Sequence, residues 1–290
     1  MREGVRILRR RLRRKVLTAV EYLRYGWGRT DRQHKFVIVS CQRNSGKYAI
    51  NCLDSVYCQK YPRHLVRHIF IDDASNDGTD EYVRNWLATH SDHSVEFIRN
   101  KKRLGGTHNT LRGISLAEAD DIVVELNGDD WFPDSRVLAY LNRVYAADDV
   151  WMTYNSLRLN NGPPAPWAGP IPWQVIKNNS FREQPDWISS HLHTFRKRLA
   201  DHLPDGVMID PQTGDYWECA DDQALYLALL ELAGEHSRHI HRITYIYNYR
   251  ETSHAFQDSS RSVEIARRIR QGRRCMPLAS LDRDFETFAN

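Results

Sequence analysis

Val123-Val124-Glu125-Leu126-Asn127-Gly128-Asp129-Asp130-Trp131-Phe132-Pro133 is the stretch whose reading decides the fold. Its first residues form an apolar run of the kind that fills a strand buried on both faces, and the run stops at a glycine, two adjacent carboxylates and an aromatic turn closed by proline. Paired acids at the C-terminal end of a buried strand sit where ligands collect in open α/β sheets. Two carboxylates side by side repel each other unless a cation or hydrogen-bond donors lie between them. A hard divalent cation with a bound phosphate suits such a pair, because Mg²⁺-type ions take one or two carboxylates plus substrate phosphates. The competing reading is a solvated turn in which Asp129 caps the next helix, so the choice depends on the rest of the chain.

Outward from this stretch, strand and helix alternate. Phe36 to Cys41 is a β-branched strand, followed by an Asn44-Ser45-Gly46 turn and a helix face of Ala49, Ile50, Leu53, Val56 and Tyr57. Ser45-Gly46-Lys47 lacks the upstream glycine and the following Ser/Thr of a phosphate-binding loop and is set aside. His68 to Ile71 is a second strand ending in Asp72-Asp73, with a helix starting near Thr79. Val95 to Ile98 is a third, leading through Asn100 and Gly105-Gly106 into a helix with Leu111, Ile114 and Leu116; the opening stretch is the fourth, before a helix over 135–146. Four such alternations predict βαβ units and a largely parallel sheet flanked by helices. Two strands therefore end in carboxylates on one sheet edge. Asp72 and Asp73 suit a nucleobase imide and ribose hydroxyls, and Asp129 and Asp130 suit phosphates, so that edge is expected to hold a nucleotide diphosphate.

Composition excludes several classes. Hydrophobic residues make up 41% and charged residues 27% of 290, ordinary for a globular chain. No run of about 18 apolar residues predicts a membrane span, and the start lacks a secretory signal pattern. Five scattered cysteines without a C-x-x-C pair predict a reduced chain in the cytoplasm. The net charge of +4 conceals an asymmetry: residues 1 to 35 hold twelve Lys/Arg against three acids, a local +9, leaving −5 for the rest. That distribution argues against a nucleic-acid-coating protein. The excess lies in Arg6 to Arg14 and Lys15, beside Val5, Leu8, Leu12, Val16, Val20 and Leu23 at helical spacing. This predicts a basic amphipathic helix that lies on an anionic membrane surface through residues 5–24, peripheral on its cytoplasmic face, or binds an acidic partner, or else is a solvated helix.

The run IDDASNDGT at 71–79, the pattern N..R.GGT.N.LRG from Asn100 to Gly113, and LNGDDWF at 126–132 together resemble, in order and separation, the nucleotide-binding and D-x-D motifs of family 2 glycosyltransferases. The resemblance covers about residues 36 to 135 and implies the Rossmann-like A-type transferase fold. It also implies a nucleotide-sugar donor with UDP-sugar as the default, Mn²⁺ or Mg²⁺ as cofactor, and inversion at the anomeric carbon. It places the donor nucleotide on Asp72, Asp73, Ser75, Asp77, Asn100, Gly105, Gly106, Asn109, Asn127 and Asp130, and the metal on Asp129. Asn127 stands where the family's D-x-D has its first acid; an amide oxygen can ligate a cation but adds no charge.

Further along, ADDQALYLALLELAG at 220–234 resembles the family's Glu-Asp motif and its helix, with Asp221 in place of the glutamate. The resemblance makes Asp222 the catalytic base, with Asp221 beside it. An inverting transfer needs one carboxylate to take the acceptor's proton as the hydroxyl attacks opposite the leaving diphosphate. Alternating Ile243, Tyr245, Tyr247 and Tyr249 predict a strand, and the family pattern carries a metal-side role to His254.

Residues 161 to 173 hold five of eleven prolines and predict a stiff loop presenting Trp167 and Trp173 to a carbohydrate or lipid-linked acceptor. The pair His191-x-His193 has no third metal ligand near it in sequence and reads as structural, ahead of a basic helix from Thr194 to Leu199. Residues 261–273 read as a basic helical tail.

The expected organisation is a basic N-terminal helix and linker (1–34), a catalytic domain (35–258) with a donor half (35–135) and an acceptor half (136–258), and a helical tail (259–290). The expected activity is a metal-dependent, inverting transfer of one sugar. Two other readings are a sugar-phosphate nucleotidyltransferase and an inactive binding protein on a transferase fold.

Overall fold

The structure, a computed structural model, describes residues 16–21, 23–25, 30–90, 94–146, 149–165, 167–249 and 259–282. The first half runs β1 (Phe36–Gln42), α1 (Tyr48–Tyr57), β2 (Val66–Asp72), α2 (Thr79–Thr89), β3 (Val95–Arg99), α3 (Gly106–Ser115), β4 (Ile122–Glu125) and α4 (Val137–Tyr145). The second runs β5 (Met152–Leu159), α5 (Trp173–Lys177), β6 (His193–Arg196), α6 (Lys197–Ala200), α7 (Asp221–Ala233), β7 (Ser237–Tyr247) and α8 (Ser259–Gln271).

The strands form one sheet in the order β3-β2-β1-β4-β6-β5-β7. β1, β2, β3 and β4 are mutually parallel, β6 runs antiparallel between β4 and β5, and β7 is parallel to β5. Alternate residues of each parallel strand feed opposite core layers. Val37, Val39, Ile69, Ile71 and Val123 pack with Ile114 of α3 and the leucines of α7. Phe36, Ile38, Phe70, Val124 and Leu126 pack with Leu53 of α1 and Leu138 and Leu141 of α4. The predicted mostly parallel sheet flanked by helices is therefore what forms.

α7 is buried from Ala224 to Ala233, as an all-apolar helix must be. Its one buried acid, Glu231, takes a bidentate pair from Arg182 at 2.5 and 2.9 Å, and Arg182 also donates to the Ile269 carbonyl of α8 at 2.6 Å. That clamp fixes α8 against α7, so the basic helical segment is packed on the body.

Two elements differ from the sequence reading. β5 is a strand the pattern did not signal. Thr194 to Arg196, expected as the start of a helix, belongs to β6, and helix begins only at Lys197. β-branched Thr194 and aromatic Phe195 fit the pleat between β4 and β5, and the sheet there outweighs the helical preference of the basic residues that follow.

Of the N-terminal segment, 16–21 and 23–25 are helical, while Arg6 to Lys15 lie outside the described residues. Glu21 ties this helix to the body by accepting from the His241 and Arg242 amides, both at 2.9 Å. Among the described residues no helix is long and apolar enough to cross a membrane.

Candidate active site

The C-terminal ends of β1, β2 and β4 and the start of α7 surround a cavity of about 1080 Å³. Asp73, Gly106, Asn109, Asn127, Asp221 and Asp222 all contribute to its wall. Carboxylates 149 positions apart, Asp73 and Asp222, thus open onto one space.

β2 delivers its acids into a dense hydrogen-bond network. Asp72, fully buried, accepts from Gln42 Nε2 at 2.8 Å and from the Ser75 hydroxyl, and pairs with Arg99 at 3.3 Å. Asp73 accepts from the Leu104 and Gly105 amides at 2.8 and 2.9 Å and from Asn100 Nδ2 at 2.9 Å. Burial works to raise Asp73, but these donors prevail and hold its carboxyl below the usual range. Asn109 bonds to the Gly105 carbonyl and to Asn100, so the 100–109 motif is folded around Asp73. Ser75 bonds the Asn44 amide at 2.9 Å, and Asp77 is exposed and accepts from the Thr79 amide at 3.1 Å, at the start of α2. Asp72, Ser75, Asp77, Asn100 and Gly105 support the cavity without forming its wall.

After β4 the chain turns tightly. A Cβ on Gly128 would lie 2.6 Å from Gln42 Cβ and 3.2 Å from Phe70 Cζ, so only hydrogen fits there. Asn127 faces the cavity and Asp129 is half-buried on the same turn. Asp130 points under the loop, accepting from the Asn248 amide at 2.6 Å and from the Tyr245 hydroxyl. Burial, and then the adjacent Asp129 carboxylate, push Asp130 up to about 8. Its placement ties the loop to β7 and away from the cavity wall. Asn127 and Asp129 together offer oxygen donors only, a set that fits a hard divalent cation. His254 lies outside the described residues.

α7 presents the other acids. Ala220 adopts a left-handed conformation (φ 54°), costly for a residue with a Cβ and typical of functional turns. The helix then opens with Asp221 and Asp222. Thr107 donates to Asp221 Oδ2 at 3.0 Å, and Gln223 N–H to Asp222 Oδ1 at 2.8 Å. Burial, then the Asp221 charge, raise Asp222 to about 7. A carboxylate in that range is matched to proton abstraction near neutral pH.

Glu125, to which the sequence reading assigns no role, and His191, read there as structural, are both wall residues. Glu125 stands directly across the β4–β6 ladder from His193 and accepts from the Tyr226 hydroxyl. Burial lowers His191 to about 4 and His193 to about 3, leaving both imidazoles neutral. The third partner of the H-x-H pair is Glu125, supplied by strand pairing. Trp187 and several α8 residues, including Ala266 and Arg270, complete the wall. Trp167 and Trp173, 59% and 53% exposed, are not part of it, and Trp151 and Trp217 are core residues.

A mostly parallel sheet with a cavity at its carboxyl edge, ringed by acids from three strand or helix ends, defines an A-type nucleotide-diphospho-sugar transferase fold. Residues 36–203 match Glycosyl transferase family 2, and the chain belongs to that family. Among solved structures, S. aureus TarS 1-349 in complex with UDP-GlcNAc is similar at TM-score 0.60 and 17% identity, covering 81% of this chain and 65% of that one. S. aureus TarS itself gives 0.57 and 18%, over 74% and 37%. The mannosyltransferase PcManGT from Pyrobaculum calidifontis, in complex with GDP-Man and Mn²⁺, gives 0.53 and 18%, over 86% and 68%. At these identities the likeness is one of fold, and the chain spans 37% to 65% of the TarS chains. No curated protein sequence matches the chain.

Proposed function

We propose that this chain transfers one sugar, with inversion, from a nucleotide diphosphate sugar to a hydroxyl of a carbohydrate or lipid-linked acceptor. The observation that carries the reading is that Asp73, Asn127 and Asp222 share one cavity, roomy enough for a nucleotide sugar and an acceptor group.

In this reading the donor half, 35–135, holds the nucleotide through the Asp73 network, and the acceptor half, 136–258, supplies the base. Asp222 takes the proton of the acceptor hydroxyl while that oxygen bonds to the anomeric carbon and the bond to the leaving diphosphate breaks. The raised affinity of Asp222 for a proton suits this role. Asp221, held by Thr107, keeps the start of α7 in place and adds negative charge beside the base. Asp129, with Asn127 and His254, would hold Mn²⁺ or Mg²⁺, which when bound offsets charge on the departing diphosphate. Trp187 on the cavity wall offers a flat apolar face for a sugar ring.

UDP- and GDP-sugars are the donors to test first, since the TarS and PcManGT complexes carry UDP-GlcNAc and GDP-Man. A panel of nucleotide sugars in a thermal-shift assay, with and without Mn²⁺, reads donor affinity by mass action. A donor-selective rise in melting temperature, followed by donor hydrolysis or transfer that Asp222→Asn abolishes, is the expected result. Tight nucleoside triphosphate binding with pyrophosphate release would instead mark a nucleotidyltransferase.

A further inference from the structure

We propose that Glu125, His191 and His193 form a second cation site, selective for a divalent transition metal of the Zn²⁺ class and distinct from the proposed Mn²⁺ or Mg²⁺ site at Asp129. It does not depend on the glycosyl-transfer reading.

Strand pairing builds the site. β4 and β6 run antiparallel with Glu125 directly opposite His193, and side chains opposite each other on a ladder are close neighbours. His191 enters from the segment just before β6. One ligand atom from each of the three residues lies within 4.8 Å of the other two. Glu125 Oε2 stands 3.8 Å from His193 Nδ1 and 3.9 Å from His191 Nδ1, too far for hydrogen bonds. Ligands about 2.1 Å from a tetrahedral ion are roughly 3.4 Å apart, so each imidazole needs to approach Glu125 by about half an ångström, and no two of the ligand atoms, all within 4.8 Å of one another, need to close by more than about 1.4 Å.

The nitrogens are also unspent. His193 is fully buried, and among the described residues neither its Nδ1 nor that of His191 has a hydrogen-bond partner. A buried acceptor left unmade is costly, and a cation at the centre of the triad relieves both at once. His193 Nε2 lies 2.8 Å from Ser189 Oγ. With Nε2–H donating there, the Nδ1 lone pair is directed at the ion, the outer-shell arrangement that orients metal-ligating histidines.

Rings hold the ligands in place. His193 stacks on Tyr226 at 3.5 Å between centroids and His191 on Tyr245 at 5.2 Å, while the Tyr226 hydroxyl steadies Glu125. Two imidazole nitrogens and one carboxylate suit Zn²⁺ or Co²⁺ better than Mg²⁺, which takes oxygen ligands. Glu125 and His191 also line the cavity, where an open coordination position would meet a ligand.

The test is Co²⁺ and Zn²⁺ binding to the full chain, without donor or acceptor. Wild type and Asp129→Asn are expected to take up one Co²⁺ with a visible d–d band, displaced by Zn²⁺ and unmoved by excess Mg²⁺. His193→Gln loses that band, and His191→Gln, altered at the cavity wall rather than in the core, weakens Co²⁺ binding by at least about 10-fold. Far-ultraviolet circular dichroism confirms that both variants are folded. A wild-type chain that binds no Co²⁺, a band lost with Asp129→Asn, or a band kept by folded His191→Gln and His193→Gln would each overturn the site.

Discussion

Thr107 of α3 donates its hydroxyl hydrogen to Asp221 Oδ2 at 3.0 Å, joining the nucleotide-binding motif to the helix that carries the proposed base. Thr107 is also 3.0 Å from the Trp217 carbonyl, so the same hydroxyl reaches the loop before α7. Thr107→Val keeps the shape and removes the donor, leaving a buried carboxylate oxygen without its partner at a cost of about 1–3 kcal/mol. The expected outcome is a kcat lower by about 10-fold or more, because a base displaced by a fraction of an ångström loses alignment, with donor affinity near wild type. Steady-state kinetics with a nucleotide-binding titration checks the split; equal losses in both would assign Thr107 to donor binding instead.

As the proposed base, Asp222 would couple turnover and stability to pH with opposite signs. Its folded-state value of about 7, raised by burial and then by Asp221, lies above an unfolded value of about 3.9. The folded chain therefore binds that proton more tightly, so stability from this group is present at low pH and lost as pH rises from about 3.9 through about 7. Turnover follows the other direction, since the base works only when ionised. Asp222→Asn is expected to abolish transfer, a loss of about 10²–10⁴, and to melt higher than wild type at pH 8. That gain should shrink as pH falls toward 4. Thermal melts across this range decide it, and a mutant less stable than wild type at pH 8 would contradict the buried-charge account.

Gly128 is a steric requirement. An added methyl meets Gln42 Cβ and Cγ at 2.6 and 2.8 Å, and Gln42 is itself bonded to Asp72 at 2.8 Å. Gly128→Ala therefore pushes on both acid-bearing strand ends at once. Overpacking of this kind costs about 1–3 kcal/mol, and the variant is expected to lose that stability in a urea titration together with nucleotide affinity. Unchanged stability would mean that β1 yields more readily than its burial suggests.

Much of this arrangement is legible in the sequence, for a physical reason. β1, β2 and β4 are buried on both faces, so their apolar runs stand out against polar turns, and the acids ending β2 and the turn after β4 are adjacent in the sequence to those runs. α7 is equally legible from its leucines. β5 is not, because Thr153, Asn155 and Ser156 are buried polar residues; Asn155 bonds Thr244 of β7 at 2.6 Å and Thr153 bonds Thr194 of β6 at 2.7 Å, side-chain hydrogen bonds between neighbouring strands that leave no hydropathy pattern. Glu125 escapes for a different reason. Its meeting with His193 is set by cross-strand register, which neither strand reveals alone. Asp130 reads like Asp129 in sequence, and only the position of Tyr245 and Asn248 sends it inward.

The N-terminal helix offers a prediction about where the protein works. Val16, Val20 and Leu23 are 54%, 56% and 73% exposed, at a spacing that lines one helical face. The helix is held on its other side by buried Glu21, whose carboxyl burial pushes up and the His241 and Arg242 amides pull down. An apolar stripe turned outward next to a run of arginines in sequence is what an anionic bilayer surface would bind. Replacing Val20 and Leu23 with Asp leaves the Glu21 anchor in place and removes apolar surface worth about 1.5–3 kcal/mol per side chain when fully buried. Sedimentation with anionic vesicles is expected to fall by about 10-fold or more for Val20→Asp with Leu23→Asp, and wild-type binding to weaken with added salt as the arginine contribution is screened. Equal sedimentation of wild type and the double variant would remove the membrane from this account while leaving the cavity and its chemistry as they stand.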